Sequence, residues 1–153
     1  MTIELRDLQR SDETAWQHLW RGYLDFYASP EFDARTPALW EQLLDPAHSF
    51  QCRVAVMADE VVGIVQFFDH LDTWFDRPVC YLNDLFVDPS ARGHGIGRLL
   101  VEDVNSIAAA RGWQHVYWHT QTNNNDHARA VYDSFPGVDA AFMVYELPPA
   151  NTD

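Results

Sequence analysis

The feature that most constrains the fold is an apolar strand followed directly by a glycine-rich turn and a helix. Residues 79–87 are apolar at nearly every position, as in a central strand that is buried on both faces. The strand ends before Pro89, and three glycines then lead into a helix with one apolar face, namely Gly93, Gly95 and Gly97. This order of elements predicts a mixed α/β fold.

Hydrophobic periodicity predicts the other elements of the chain. Strands are expected over 2–8, 51–57, 61–68, 115–120 and 142–147. Helices are expected over about 12–28, 36–44, 97–111 and 125–134, with capping or stop residues at their ends. The sequence shows no internal repeat and no linker, so we predict one domain over 1–153, with a frayed tail at 148–153.

Composition and charge exclude several classes of protein. The 153 residues carry a formal net charge of −13, so a large nucleic-acid surface is not expected, and cationic partners are favoured. No apolar run is long enough to span a membrane, and residues 1–10 lack the apolar core of a signal peptide, so the expected location is the cytoplasm. Cys52 and Cys80 lie in apolar strands and are predicted to be buried free thiols, and no metal site is expected.

The glycine-rich turn has the chemistry of a phosphate site. Glycines allow the backbone to approach a ligand, and the first N–H groups of a helix have no partner within it. These donors and the positive end of the helix dipole bind phosphate oxygens, and nearby arginines add charge. A P-loop would need Gly-Lys-Ser or Gly-Lys-Thr, which is absent, and a dinucleotide fingerprint would need a third glycine where Arg98 stands.

Two spaced motifs resemble those of the GNAT acetyltransferases. Arg92-x-x-Gly95-x-Gly97 is similar to the family's pyrophosphate loop, and Asn125-x-x-Ala128-x-x-x-Tyr132 is similar to its Asn-to-Tyr helix. The resemblance covers about residues 51–147 and looks closest to the polyamine- and lysine-type enzymes. Residues 133–137 depart from the family pattern, so the resemblance does not define the C-terminal wall of the substrate site.

The resemblance implies a fold, a co-substrate and a set of roles. The fold would be the GNAT fold, with a mixed central β-sheet, helices on both faces and a pyrophosphate loop at a helix N-terminus. Acetyl-coenzyme A would be the co-substrate, without a metal. Its arm would bind the backbone of a strand, its pyrophosphate the loop, and its outer part an asparagine; these residues are Leu85, Phe86, Val87, Arg92, Gly93, His94, Gly95, Ile96, Gly97 and Asn125.

Acetyl transfer to an amine needs a proton acceptor for the amine and a proton donor for the leaving thiolate. Asp84 is the candidate acceptor, because a carboxylate in an apolar strand is costly to bury without a purpose or a partner. A strand bulge would aim it at the thioester. Its alternative is a hydrogen-bonded structural acid. Tyr132 is the candidate donor, and its alternative is packing on a helix face.

Other residues are weaker candidates for contact with the substrate. They are Asn83, Tyr23, Tyr27 and His119. Trp16, Trp20, Tyr23 and Tyr27 form a helical stripe that is more typical of a core than of an amine cage. His119 is predicted to lie on a strand and is more typical of a satisfied core histidine than of a base.

The sequence therefore predicts an N-acetyltransferase that acts by direct, sequential transfer on a primary amine. A small cationic amine, such as a polyamine or a lysine-like compound, is the first choice, and a protein lysine or N-terminus the second. A non-catalytic acyl-coenzyme A sensor on the same fold is the competing class. No membrane partner is expected, and because many members of the family dimerise, a homodimer is left open.

Overall fold

The computed structural model describes residues 1–150. The strands are β1 (Ile3–Asp7), β2 (Gln51–Met57), β3 (Glu60–His70), β4 (Val79–Val87) and β5 (Val116–Tyr117). The helices are α1 (Glu13–Phe26), α2 (Thr36–Leu44), α3 (Ile96–Arg111) and α4 (Asp126–Asp133). Short 3-10 segments cover Arg10–Asp12, Pro30–Arg35 and Pro89–Ala91.

The described chain falls into two compact units. The first is Met1–Trp118, which contains the sheet and α1 to α3. The second begins at His119 and contains α4. One domain over 1–153 stays a prediction, and residues 151–153 of the expected tail lie outside the described part of the chain.

The five strands form one sheet in the order β1-β2-β3-β4-β5. The first three pairings are antiparallel, and β4 and β5 are parallel, so the predicted mixed sheet is confirmed. The turn between β2 and β3 uses Ala58 and Asp59 at positive φ (52° and 65°), the backbone of a tight hairpin. The parallel β4–β5 pair needs a crossover, which α3 supplies.

The two faces of the sheet are covered by different helices. On one face α1 and α2 bury a core that contains Trp16, Leu19, Trp40 and Ile64. On the other face α3 lies close to β3 at Gly63. A Cβ at Gly63 would come within 3.1 Å of Ile96 and 3.2 Å of Leu100, so the missing side chain permits this approach. Cys52 and Cys80 are buried free thiols, as predicted.

Two predicted strands differ from the structure. The strand expected over 115–120 is reduced to Val116–Tyr117, because its ladder with β4 ends at Tyr81, just before a bulge at Asn83, and bulges disrupt pairing. The strand expected over 142–147 is absent, and these residues are exposed, Tyr145 to 88%. Their apolar run, with two aromatic residues and a valine, favours extended backbone, but a strand also needs a ladder partner. No helix within residues 1–150 is long and apolar enough to cross a bilayer.

Candidate active site

A cavity of about 410 Å³ opens on the face of the sheet that α1 and α2 cover. Its walls are largely aromatic and aliphatic, with a few polar groups, which is the usual character of a small-molecule site. The lining residues are Trp20, Tyr23, Leu24, Tyr27, Ser29, Phe32, Arg35, Leu39, Leu43, Phe50, Gln66, Phe67, Phe68, Asn83 and Asp84. All of them lie in the first unit.

A bulge in β4 sets the position of Asp84. Gln66 pairs with Asp84 while Phe67 pairs with Leu82, so Asn83 is the extra residue. Residues directly opposite in an antiparallel ladder share a face, so Asp84 lies on the same face as Gln66, towards α1. Asp84 is only 9% exposed, whereas Asn83 is exposed. The predicted bulge is therefore present, and it carries a carboxylate into the cavity wall.

Hydrogen-bond donors surround the Asp84 carboxylate. Gln66 Nε2 donates to Oδ2 at 2.7 Å, the Tyr23 hydroxyl also donates, and Asn83 Nδ2 lies 3.4 Å from both oxygens. Burial raises the pKa of Asp84 above its ordinary value, and these donors oppose the rise without cancelling it. A carboxylate with a raised pKa is a stronger base than an exposed one.

The orientation of Gln66 follows from Trp16, which sequence reasoning assigned only to the core. Trp16 Nε1 can only donate, and it donates to Gln66 Oε1 at 2.8 Å. The amide nitrogen of Gln66 must then face Asp84. Trp16 is fully buried and Gln66 is 3% exposed, so neither group can exchange these partners for water.

Sequence reasoning missed Gln66, although the signal that found Asp84 also applies to it. Gln66 is a polar residue inside the apolar run of β3, between Val65 and Phe67. Two polar residues in neighbouring central strands could have been paired on that ground. The bulge that brings them opposite each other was expected only from the role proposed for Asp84, and no local sequence signal fixes which residues it pairs.

The aromatic stripe of α1 divides between core and cavity. Trp16 and Trp20 are buried in the core, whereas Tyr23 and Tyr27 are half-buried and line the cavity with Trp20. The Tyr23 and Tyr27 rings are 4.8 Å apart, and Tyr23 stacks on Trp20 at 5.3 Å. Burial and the nearby carboxylate of Asp84 raise the pKa of Tyr23, so its hydroxyl keeps its proton and remains a donor.

The other edge of β4 is open where the resemblance implies the coenzyme arm. The ladder with β5 covers Cys80 and Tyr81 and does not reach the stretch of β4 formed by Leu85, Phe86 and Val87. An edge of this kind can accept an extended ligand through main-chain hydrogen bonds. Among residues 1–150, β5 is the only strand that pairs on this side of β4.

The glycine-rich turn has the geometry of an anion site. Gly93 and Gly95 have φ of 83° and 74°, and a Cβ on either would meet no atom within 4 Å. The helix ladder starts with Leu99 N–H donating to Gly95 O at 3.0 Å, so the N–H groups before Leu99 lie outside it. This open loop at the N-terminus of a 16-residue helix fits a pyrophosphate.

Side-chain contacts of Arg92 and His94 hold the glycine-rich turn in place beside β4. Arg92 Nε donates to the carbonyl of Val87 at 3.2 Å, and its guanidinium lies 5.5 Å from the Phe86 ring centroid. The ring nitrogen Nδ1 of His94 is 3.1 Å from the carbonyl of Ala91. The buried Ile96 anchors the start of α3 against the sheet.

The second unit holds the remaining predicted residues. Asn125 occupies the N-cap position of α4, is 7% exposed, and donates from Nδ2 to Thr120 Oγ1 at 2.6 Å. Tyr132 lies two turns later, so it shares a face of α4 with Asn125. His119 was expected on a strand and in a core; instead it is exposed and lies outside the strand, because β5 ends at Tyr117.

Comparisons with known proteins agree on one family. The profile of the acetyltransferase (GNAT) family matches residues 12–135. The D-amino-acid N-acetyltransferase HPA3 of Saccharomyces cerevisiae is 33% identical over 135 residues, which are 85% of this chain and 81% of that protein. The N-acetyltransferase YhfO of Bacillus subtilis is 26% identical over 131 residues, 86% and 87% of the two chains.

Solved structures show the same fold. The aminoglycoside N-acetyltransferase AAC(6')-Iy in complex with CoA superposes with a TM-score of 0.79 at 18% identity, over 97% of this chain and 96% of that one. At this identity the similarity concerns the fold alone, and it matches the five-stranded mixed sheet with helices on both faces.

Proposed function

Because the chain belongs to the GNAT family of acetyl-coenzyme A-dependent acetyltransferases, we propose that it N-acetylates a small primary amine bound in the aromatic cavity, with Asp84 as the proton acceptor. The observation that carries this proposal is the buried Asp84 carboxylate, surrounded by donors and set into an otherwise largely apolar cavity wall. An ammonium group is the natural partner of such a carboxylate.

The coenzyme would be held by main-chain groups. The open edge of β4 at Leu85 and Val87 would pair with its pantetheine arm, and the N–H groups of the loop at Gly93 and Gly95 would bind its pyrophosphate. Acetyl-coenzyme A supplies the activated acetyl group when bound. We assign Asn125 a further contact with the coenzyme from the sequence motif.

The amine must lose a proton before it can attack. For an amine with a pKa of about 10.4, neutralisation at pH 7 costs roughly 4.6 kcal/mol. Asp84 is suited to this task, because burial raises its pKa and brings it closer to that of the amine. Asp84 can accept the amine proton directly or through one water, because its carboxylate lies in the cavity wall.

The acetyl group would pass directly from the coenzyme to the amine, without a covalent acetyl-enzyme intermediate. The neutral amine nitrogen bonds to the acetyl carbon and the carbon–sulfur bond then breaks. The nitrogen gives up its second proton as the amide forms, and the thiolate takes up one proton to leave as the thiol. We assign that proton to the Tyr132 hydroxyl, on the basis of the motif and its place in the last turn of α4. A main-chain N–H of β4 would stabilise the oxyanion.

The cavity favours an amine with one ammonium group and an apolar body. Asp84 is the one carboxylate among the lining residues that the structure describes, and most of the wall is aromatic or aliphatic. A polyamine would place further ammonium groups against these apolar surfaces or near Arg35, at a cost in desolvation or repulsion. A lysine-like amine with a single charge at its reacting end meets no such cost.

The test is release of coenzyme A thiol from acetyl-coenzyme A with a panel of amines at pH 7 to 9. The panel contains aromatic and aliphatic monoamines, polyamines, lysine analogues and basic peptides. The chain contains no lysine, so lysine self-acetylation adds no background. Turnover of monoamines supports the proposal. Coenzyme binding by calorimetry with no turnover of any amine supports a sensor and contradicts it.

A further inference from the structure

The cavity carries two opposite charges in separate surroundings. Of its lining residues, Arg35 and Asp84 are the charged ones. Asp84 is buried in the sheet wall, whereas Arg35 is exposed and lies at the end of the Pro30–Arg35 segment, just before α2. The cavity therefore presents a carboxylate in its buried wall and a guanidinium at an exposed position of its lining.

Arg35 is held in place without using its whole donor set. Its Nη2 donates to Gln42 Oε1 at 2.8 Å, and Gln42 lies about two turns into α2. A guanidinium has five N–H donors in a rigid fork that matches a carboxylate. The contact with Gln42 therefore limits the motion of the side chain while the fork can still bind an anion.

The rest of the wall would bind an apolar group. Tyr27, Phe32, Phe50 and Phe68 supply aromatic surface to the cavity wall, which suits an apolar group of a ligand. The cavity thus offers three kinds of contact, for a cation, for an anion and for an apolar body.

We infer that the amine acceptor is a zwitterionic amino acid with a large apolar side chain, whose ammonium group binds Asp84 and whose carboxylate binds Arg35. This inference rests on the proposed function, since it names the acceptor of the same site. The net charge of −13 would repel an anionic group in general, so a carboxylate needs a local cation such as Arg35.

The reaction keeps the carboxylate charge of the amino acid and removes its ammonium charge. The α-ammonium group loses one proton through Asp84 before the α-nitrogen bonds to the acetyl carbon. As the carbon–sulfur bond breaks, the nitrogen loses a second proton and the thiolate takes one up to leave as the thiol. The product retains its carboxylate and the contact with Arg35 but no longer has an ammonium group for Asp84. Loss of that contact favours release of the N-acetyl amino acid.

The test compares phenylalanine, as each enantiomer, with phenethylamine and phenylalaninamide, which lack the carboxylate. In the unaltered enzyme we expect one phenylalanine enantiomer to have a kcat/KM roughly 10- to 100-fold above the two carboxylate-free amines, mainly through a lower KM. In Arg35→Gln the ratio of the phenylalanine kcat/KM to the phenethylamine kcat/KM should fall to about 1, because only phenylalanine loses a charged partner. Arg35→Lys should retain part of the advantage, because it keeps the charge without the fork.

Arg10→Gln is the matched control, because Arg10 is an exposed arginine outside the cavity and its loss changes the net charge equally. The preference for phenylalanine should survive in this variant. If phenethylamine is acetylated as well as phenylalanine, or if Arg35→Gln keeps the preference, the inference is overturned and the proposed function stands. If none of these amines is acetylated, the inference is overturned as well, and the wider amine panel decides the proposed function.

Discussion

Gln66 Nε2 donates to Asp84 Oδ2 at 2.7 Å, and Trp16 fixes the direction of that hydrogen bond from the other side of the amide. Trp16 cannot accept, so the oxygen of Gln66 is committed to it and the nitrogen to Asp84. Gln66 thereby becomes a positioning residue for the proposed base. It favours the ionised form of Asp84, whose oxygens accept.

Replacing Gln66 by Leu should lower kcat by about 10-fold or more, because a buried hydrogen bond to a charged group is worth roughly 1.5–3 kcal/mol. The apparent pKa of the acidic limb of the kcat/KM profile should rise, since one of the donors that favour ionised Asp84 is lost. If Gln66 had only a structural role, Gln66→Leu would lower stability without changing the apparent pKa of the acidic limb.

The companion variant Trp16→Phe leaves Gln66 in place but frees its amide to rotate. It should shift the limb in the same direction by a smaller amount, since Gln66 keeps its donor but loses its fixed orientation. An unchanged profile in both variants would contradict the positioning role of Gln66. Steady-state kinetics over pH 5 to 9, with thermal unfolding as the stability measure, decides the matter.

Gly95→Ala tests the pyrophosphate loop, and Gly112→Ala is its matched control. The two glycines flank α3 with φ of 74° and 72°, and a Cβ on either would meet nothing within 4 Å. Each substitution should therefore destabilise the fold through backbone strain alone, by about 1–2 kcal/mol. Only Gly95→Ala should also weaken acetyl-coenzyme A binding in calorimetry. Equal affinities in the two variants would place the coenzyme elsewhere.

Gly22→Ala tests how closely α1 approaches β4. A Cβ at position 22 would lie 2.7 Å from Cε1 and 2.8 Å from Cζ of Phe86, so the ring must move. We expect a loss of stability, because overpacking costs about 1–3 kcal/mol and exceeds the helix propensity that Ala gains. In a Phe86→Leu background the same change should be stabilising, by up to about 1 kcal/mol. Chemical unfolding of the wild type, the two single variants and the double variant measures this change of sign. If Gly22→Ala changes the free energy of unfolding equally in both backgrounds, the contact is ruled out.

The ion pair between Arg6 and Asp12 should make stability depend on acid pH. Arg6 Nη1 lies 2.7 Å from Asp12 Oδ2, and the hydrogen bond from Arg6 is the main cause of the lowered pKa of Asp12. An acid with a lowered folded pKa contributes stability above its unfolded value of about 3.9, and that contribution is lost as the pH falls through the folded value.

Arg6→Met should therefore lower the free energy of unfolding by roughly 1–3 kcal/mol at pH 7, and by progressively less below pH ~4. Arg10→Met removes the exposed pair with Glu41 and should have no measurable effect at either pH. A loss in Arg6→Met that is the same at pH 7 and pH 3 would assign the effect to packing rather than to the ion pair.

Local signals in the sequence were sufficient for β4, α3 and the glycine-rich turn between them. The run 79–87 is apolar except at Asn83 and Asp84, and glycines at both ends of α3 occupy positions with positive φ, so these elements have the predicted bounds to within one residue. The identity of Asp84 as a buried carboxylate also followed from its apolar neighbours. In each case the decisive interactions are within the segment or concern burial alone.

Features that depend on distant partners were not predictable. The residues 142–147 have a strand-like pattern but no strand, and the strand at 115–120 shortens to two residues, because pairing decides where a ladder ends. The link from Trp16 through Gln66 to Asp84 joins three elements and depends on the bulge at Asn83. The exposure of His119 follows from the early end of β5.

The most direct test of the account is the pH dependence of kcat/KM in the wild type and in Asp84→Asn, with a responsive amine. We expect Asp84→Asn to lose about 10²–10⁴-fold in kcat/KM, to bind acetyl-coenzyme A as tightly as the wild type, and to unfold at the same or a higher temperature at neutral pH. The unfolding temperature should not fall because burial raises the pKa of Asp84. At neutral pH the ionised carboxylate therefore opposes folding, and a neutral asparagine does not. Wild-type kcat/KM should fall as Asp84 takes up a proton at acid pH. An Asp84→Asn enzyme with wild-type turnover, and the same acidic limb, would contradict the assignment of Asp84 as the proton acceptor.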